Sequence, residues 1–171
     1  MDWNDGQNGS GSNQKLTLFV DIDGVLNTEA HLRRQLINKG RSTNREWCPI
    51  AMAHLKLLVE YYNGQIVVTS TWRYDHSLRQ LKILFEENGV PGKFVIGVTP
   101  SLIYENSGKV TRGDEIRRWI NENLNTDEMP RYIILDDIDE ELSQFGERFI
   151  HCDPTIGFAD KAKVKKISKL V

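Results

Sequence analysis

Two short apolar segments that end in paired carboxylates constrain the fold of this chain more than any other feature. The segment at 15–22 leads into Asp21-Ile22-Asp23-Gly24, and the segment at 131–135 leads into Asp136-Asp137. Both segments are short and rich in β-branched residues, which predicts strands buried on both faces. Strands of this kind belong to parallel sheets, whose two faces are covered by helices.

The rest of the chain supplies the alternation of strands and helices that such a sheet needs. Further strands are predicted at 65–69, 93–98 and 148–151. Helices are predicted at 50–62, between residues 75 and 88, at 114–124 and at 158–171. The pattern therefore predicts an α/β fold with a mainly parallel, five-stranded sheet that is covered on both sides.

Sequence spacing also predicts local details of the helices. Pro49 fits the first turn of one helix, and Asp75 is the expected N-cap of the next. The expected apolar face of the helix after Pro49 consists of Ile50, Ala53, Leu57, Leu58 and Tyr61. The segment 27–47 is polar without a clean period, and 99–113 is predicted to be a long loop.

Length and composition limit the class of protein. A chain of 171 residues with 39% hydrophobic and 27% charged residues fits one soluble domain, predicted at 15–171 behind a flexible tail at 1–14. The net charge of −2 means that nucleic-acid binding would need a local basic patch. The presence of only two cysteines favours a reducing cytoplasm, and no apolar run resembles a signal peptide or a membrane span.

The carboxyl ends of parallel strands form the edge at which α/β proteins bind their ligands. The side chains expected at that edge are Asp21, Asp23, Thr69, Ser70, Arg112, Asp136 and Asp137. Four carboxylates that meet at one place repel one another and are costly to desolvate, and a hard divalent cation relieves both effects. Mg²⁺ prefers oxygen ligands and often binds a substrate phosphate, so the cluster predicts a Mg²⁺ site and a phosphorylated substrate.

The same residue types suit phosphoryl transfer. A carboxylate can attack phosphorus and form an aspartyl-phosphate, a mixed anhydride that water cleaves. A second carboxyl group two residues further on can protonate the leaving oxygen and then activate that water. A hydroxyl and a cationic side chain can hold the equatorial oxygens of the phosphoryl group.

These residues carry a resemblance to a known superfamily. The segment 21–26 resembles the first motif of the haloacid dehalogenase (HAD) superfamily of phosphatases, and Thr69, Arg112 and Asp136-Asp137 resemble its other three motifs. More narrowly, the segments 69–73, 112–120, 135–139 and 151–158 resemble small HAD-like domains found with RNA-repair enzymes and in phages and bacteria. The resemblance covers about residues 15–171 and implies a three-layer, Rossmann-like fold with a minimal cap or none.

The resemblance also implies a role for each motif residue. Asp21 would be the nucleophile and a metal ligand, and Asp23 the acid/base, with its backbone carbonyl on the metal. Thr69 would bind the phosphoryl group, with Ser70 as the second choice. Asp137 is the first choice for a further Mg²⁺ ligand and Asp136 the second.

Several assignments keep an alternative. Arg112 would neutralise the phosphoryl charge, but Lys is commoner at this motif, so Lys109 remains a second candidate. Arg73 contacts substrate or pairs with a carboxylate, and Trp72 contacts substrate or fills core space. The basic residues between 28 and 47 attract a polyanion to an open site or belong to a solvated loop of mixed charge.

The predicted function is Mg²⁺-dependent hydrolysis of a phosphomonoester, either a phosphorylated small molecule or a nucleotide or nucleic-acid end. The alternative is a non-catalytic module that binds phosphate or serves as a scaffold for a repair enzyme. The presence of both Asp21 and Asp23 argues against that alternative, because a binding module needs no acid/base. A signalling receiver domain is disfavoured, because its phospho-acceptor follows a middle strand rather than the first.

Overall fold

The computed structural model describes residues 15–102, 110–124, 129–139 and 142–171. Within these ranges, five strands form one parallel sheet in the order β3-β2-β1-β4-β5. The strands are β1 (Thr17–Val20), β2 (Gln65–Val68), β3 (Val95–Val98), β4 (Tyr132–Asp136) and β5 (Phe149–His151). The predicted tail at 1–14, Lys109 and part of the predicted loop at 99–113 lie outside the described residues.

Helices connect the strands. They are α1 (Glu29–Lys39), α2 (Pro49–Tyr61), α3 (Trp72–Asp75), α4 (Leu78–Glu87), α5 (Arg112–Asn123) and α6 (Lys161–Ile167). Short 3-10 helices lie at Gly92–Phe94, Ser143–Arg148 and Gly157–Ala159. None of the helices in the described ranges combines the length and apolarity needed to cross a membrane.

Side chains of the central strand alternate between two separate cores. Leu18 and Val20 pack with apolar residues of α2, α4 and α6 on one face of the sheet. Phe19 faces the other side, where its ring meets the edge of Trp119 from α5 at a centroid distance of 5.4 Å. Because both faces are covered, the central strand carries a continuous apolar run. The predicted three-layer α/β fold is confirmed.

The strand order fixes where a ligand can bind. The sheet grows from β1 towards β2 on one side and towards β4 on the other, so the order reverses beside β1. The backbone N–H of Asp21 donates to the carbonyl of Leu135 at 3.0 Å, which holds the ends of β1 and β4 together. A reversal of this kind opens a crevice outside the carboxyl ends of the two strands.

The interpretation of residues 28–47 as a solvated loop is wrong for its first half, which forms α1. The Thr28 side chain caps the start of the helix by accepting from the N–H of His31, and Gly40 ends it in a left-handed conformation. The buried Gln35 side chain donates to the Glu46 carbonyl and accepts from the N–H of Thr43. Caps and one buried amide, rather than an apolar stripe, therefore define this helix.

Two further local predictions are wrong. On α2, the residues Ile50, Ala53, Leu57 and Tyr61 are exposed, and the buried face consists of Ala51, Met52, Leu55, Leu58 and Val59. The helix carries apolar residues on more than one face, so spacing alone allowed two choices. The N-cap of α4 is Ser77, which forms a capping box with Gln80, whereas Asp75 is the last residue of α3.

Candidate active site

Arg112 joins the ends of β1 and β4. Its Nη1 donates to Oδ2 of Asp21 at 2.8 Å and to Oδ2 of Asp136 at 2.5 Å. The other oxygen of each carboxylate accepts a backbone N–H, from Ile22 at 2.7 Å and from Ile138 at 3.0 Å. Both aspartates are buried, so these bonds fix the two carboxylates in one orientation.

The position of Arg112 follows from the start of α5. Thr111 caps this helix, and its side chain exchanges hydrogen bonds with Asp114 in a capping box. Arg112 is therefore the first helical residue, and the helix begins two residues before the predicted start at 114. Although burial works against its charge, the carboxylates of Asp21 and Asp136 raise the pKa of Arg112, so the guanidinium stays charged.

The carboxylates outnumber the cation at this point. Oxygens of Asp21, Asp136 and Asp137 all lie within 4.8 Å of one another. Burial and the nearby charge of Asp21 raise the pKa of Asp136 to about 7, and the same two causes raise the pKa of Asp137. Three hard oxygen donors with uncompensated negative charge fit a divalent cation such as Mg²⁺.

Gly24 allows Asp137 to join this cluster. A Cβ atom on Gly24 would lie 2.3 Å from Oδ2 of Asp137, and the backbone φ of Gly24 is +72°. Both the contact and the left-handed conformation require glycine at this position. The glycine of the Asp21-Ile22-Asp23-Gly24 motif therefore makes room for a carboxylate from the neighbouring strand.

Asp23 lies at the exposed mouth of the site, two residues beyond Asp21. Its Oδ2 accepts from the indole Nε1 of Trp72 at 2.8 Å, and its Oδ1 accepts from Nδ2 of Asn27 at 3.1 Å. Neither donor was predicted to act on Asp23. The sequence predicted that Trp72 contacts substrate or fills core space. The only sequence signal for the hydrogen bond from Asn27 is a polar residue directly after Val25-Leu26.

Thr69 and Ser70 follow β2 and are both buried. Within the described part of the chain, Oγ1 of Thr69 has no hydrogen-bond partner. A buried hydroxyl without a partner costs about 1–3 kcal/mol, which a ligand that bonds to it would offset. The Oγ of Ser70, by contrast, accepts weakly from the N–H of Trp72 at 3.5 Å.

Arg73 lies behind the site rather than in it. Its side chain is 4% exposed and pairs with Glu115 of α5, whose side chain is 5% exposed. It also donates to the carbonyls of Thr69 and Ser70. The structure thus matches the carboxylate-pairing alternative for Arg73, and sequence gave no sign that Glu115 would be the partner.

A cavity of about 400 Å³, half open to solvent, lies at the carboxylate cluster. Glu29 and Leu32 of α1 form one wall, and Ile138 and Pro154 form others; the remaining lining residues are Asp21, Asp23, Gly24, Asn27, Thr71, Arg112 and Asp137. The basic residues near α1 are partly paired on the surface, for example Arg45 with Glu87 at 3.1 Å. The α1 wall is a minimal cap, too small to enclose the cavity.

A parallel α/β sheet whose first strand ends in a buried aspartate, beside an arginine and a second pair of aspartates, defines a HAD-type domain. A family model described as the HAD domain in Swiss Army Knife RNA repair proteins matches residues 17–162. The chain belongs to this family, and the predicted resemblance is confirmed. Membership supports a phosphatase-like role of the HAD type. Neither the curated proteins nor the solved structures contain a match to this chain.

Proposed function

We propose that this chain is a Mg²⁺-dependent phosphomonoesterase that forms an aspartyl-phosphate on Asp21. The observation that carries the proposal is the cluster of Asp21, Asp136 and Asp137 around a single arginine. A phosphoryl group brings the negative charge that Arg112 binds, and a cation balances the carboxylates. Asp21 and Asp23 supply a nucleophile and an acid/base.

Mg²⁺ would be held by Asp21 and Asp137, with the backbone carbonyl of Asp23. Asp137 is preferred over Asp136 because it lines the cavity, whereas Asp136 is fully buried beneath Arg112. The ion supplies charge neutralisation, which allows an anionic nucleophile to approach an anionic phosphoryl group.

The first chemical step forms a bond between a carboxylate oxygen of Asp21 and phosphorus. The bond from phosphorus to the leaving oxygen breaks, and Asp23 gives that oxygen its proton. Arg112 and the free hydroxyl of Thr69 stabilise the charge on the equatorial oxygens. The products of this step are the free alcohol and phosphorylated Asp21.

The second step returns the enzyme to its starting state. Asp23, now ionised, takes a proton from water as that water attacks phosphorus. The bond between phosphorus and Asp21 breaks, which releases inorganic phosphate and the Asp21 carboxylate. Asp23 ends the cycle protonated, as the first step requires.

The test is the substitution Asp21→Asn, assayed with p-nitrophenyl phosphate and Mg²⁺. We expect turnover to fall by about 10³-fold or more, because an amide oxygen is a poor nucleophile. Asp75→Asn is the matched control, because Asp75 is exposed on α3 and does not line the cavity. Turnover by Asp21→Asn comparable to the parent's would exclude the covalent mechanism.

For the substrate, we propose a phosphate at a nucleotide or nucleic-acid end. The support is the family description, which places these domains in RNA repair proteins. The half-open cavity also leaves room for a large leaving group. A screen of 3′- and 5′-phosphorylated RNA oligonucleotides, mononucleotides and sugar phosphates should rank the RNA ends highest by kcat/KM. Absence of turnover with every member, with or without Mg²⁺, would favour the non-catalytic module instead.

A further inference from the structure

The carboxylate of Asp23 is held at both oxygens by side chains that belong to different parts of the chain. Asn27 lies on the same loop as Asp23, whereas Trp72 begins α3 after β2. Asp23 is exposed, and an exposed carboxylate without such contacts samples several rotamers. Two directed N–H groups at 2.8 and 3.1 Å instead select one orientation of the carboxylate plane.

The indole of Trp72 is itself fixed from the core. It stacks on His76 with a centroid distance of 5.2 Å and an interplanar angle of 20°. The edge-on ring of Trp47 packs against it at 5.9 Å. Trp47 is buried, and it packs in turn against Phe85 of α4 at 5.0 Å. The direction of the indole N–H is thus set by packing that extends into the main core.

Asn27 is fixed by its backbone. Its N–H donates to the Ile22 carbonyl at 2.8 Å, and its carbonyl accepts from the N–H of Gly24 at 2.9 Å. Its side-chain Oδ1 is buried and has no partner among the described residues. Asn27 therefore presents its Nδ2 to Asp23 from a backbone that two hydrogen bonds hold in place.

We propose that Trp72 and Asn27 are positioning residues that aim Asp23 at the leaving oxygen and at the attacking water. This role rests on the phosphatase activity proposed above, and it acts through Asp23 alone. Trp72 supplies a donor of fixed direction to one oxygen of Asp23, and Asn27 supplies a donor to the other. A displacement of about 1 Å at a proton-transferring group can cost about 10²-fold in rate.

The experiment is Trp72→Phe, which keeps a packed aromatic ring and removes the N–H. The leaving group of p-nitrophenyl phosphate needs no acid. The first release of nitrophenol, which reports the phosphorylation of Asp21, should therefore keep the parent's rate constant. The later steady-state rate and kcat for an alkyl phosphate should fall by roughly 10- to 100-fold, because both require Asp23. Loss of packing alone would slow the burst and the steady state together.

Two controls restrict the effect to Asp23. Trp119→Phe makes the same chemical change on α5, where the ring packs against Phe19, and should leave both rates unchanged. In an Asp23→Asn background, Trp72→Phe should cause no further loss, because the group it positions is gone. A further tenfold loss in that background would overturn the role.

A readout without turnover tests the contact directly. The indole N–H resonance of Trp72 in a ¹⁵N-correlated spectrum, identified by its loss in Trp72→Phe, should shift upfield in Asp23→Asn and should not shift in Asp75→Asn. An unchanged resonance in Asp23→Asn would overturn the proposal even in an active enzyme. An inactive parent would instead overturn the phosphatase activity, and the positioning role with it.

Discussion

Two arginines that lie far apart in the sequence, Arg73 and Arg112, form ion pairs of different kinds at α5. Arg73 pairs with one carboxylate, Glu115 of α5, and both side chains are at most 5% exposed. Arg112, on the first turn of that helix, faces two carboxylates, Asp21 and Asp136, and its side chain is 19% exposed. Arg73 and Glu115 thus form a neutral ion pair that is closed to solvent. Arg112 lies in a partly exposed cluster in which carboxylates outnumber the cation.

The difference separates a structural contact from a binding site. The Arg73–Glu115 pair is neutral, and Oε1 of Glu115 also accepts from the N–H of Leu102 at 3.3 Å. In the Arg112 cluster one cation faces several carboxylates, and burial together with the nearby charge of Asp21 raises the pKa of Asp136. A buried cluster that is not neutral favours the binding of a further cation, whereas a neutral pair needs no ligand.

The largest expected effect comes from breaking the sealed pair. Arg73→Met should lower the free energy of unfolding by about 3–5 kcal/mol, because Glu115 is left as an unpaired buried charge. Urea unfolding at pH 7 measures this change. Arg118→Met is the matched control, because Arg118 pairs with Glu122 on the exposed side of α5, and it should cost less than about 1 kcal/mol.

Restoring neutrality sharpens this test. The double variant Arg73→Met/Glu115→Leu should be more stable than Arg73→Met, since a hydrophobic pair can replace a buried ion pair. Recovery should be partial, because the carbonyls of Thr69 and Ser70 still lose their donor. A double variant no more stable than Arg73→Met would show that Glu115 is not the source of the cost.

The second effect concerns activity at the open cluster. Arg112→Ala should lower kcat/KM for p-nitrophenyl phosphate by about 10²–10³-fold, because the phosphoryl charge loses its cationic partner. Its effect on the unfolding midpoint should be smaller than that of Arg73→Met. Arg117→Ala, an exposed change on the same helix, serves as the control. Equal loss of activity in both variants would contradict the assignment of Arg112 to the site.

The smallest effect is a dependence of stability on pH in protein freed of metal by EDTA. Burial raises the pKa of Asp136 from an unfolded value near 3.8 to about 7, so the folded state holds the proton more tightly. Stability from this group is therefore present below pH 4 and is lost as pH rises towards 7. Asp136→Asn carries no ionisable group at this position, so its melting temperature lacks this contribution. From pH 5 to pH 8, the melting temperature of the parent should therefore fall by a few degrees relative to that of Asp136→Asn.

The same melting temperatures can be measured in the presence of Mg²⁺. The ion should raise the melting temperature more at pH 8 than at pH 5, because its ligands must be ionised. Equal stabilisation at both values would show that the ion does not bind the carboxylate cluster.

The position of the site was predictable because it depends on short-range patterns. An apolar run that ends in Asp21 or in Asp136-Asp137 identifies a strand end, and parallel strands bring their ends to one edge. Arg112 was predictable as a site residue because it precedes the helix that leads into β4, although the helix starts two residues before the predicted position. The sheet, its direction and the motif residues therefore follow from the sequence.

The remaining features depend on contacts between distant segments. Whether Arg73 binds substrate or a carboxylate is decided by Glu115, which approaches only when α5 packs on the sheet. The bond from Trp72 to Asp23 likewise joins loops after two different strands. On α2, the buried face is chosen by the sheet beneath it, so the spacing of Ile50 and Leu57 gave the wrong side.

The place of β1 at the centre of the sheet has a consequence for the order of folding. β2 is the next strand after β1 in the chain, whereas β4, which pairs with the other edge of β1, is synthesised much later. A nascent chain therefore carries an unpaired, apolar strand edge, which is a site for wrong pairing or aggregation. Since the same late strand brings Asp136 and Asp137, the chain gains its charged cluster only when that edge closes.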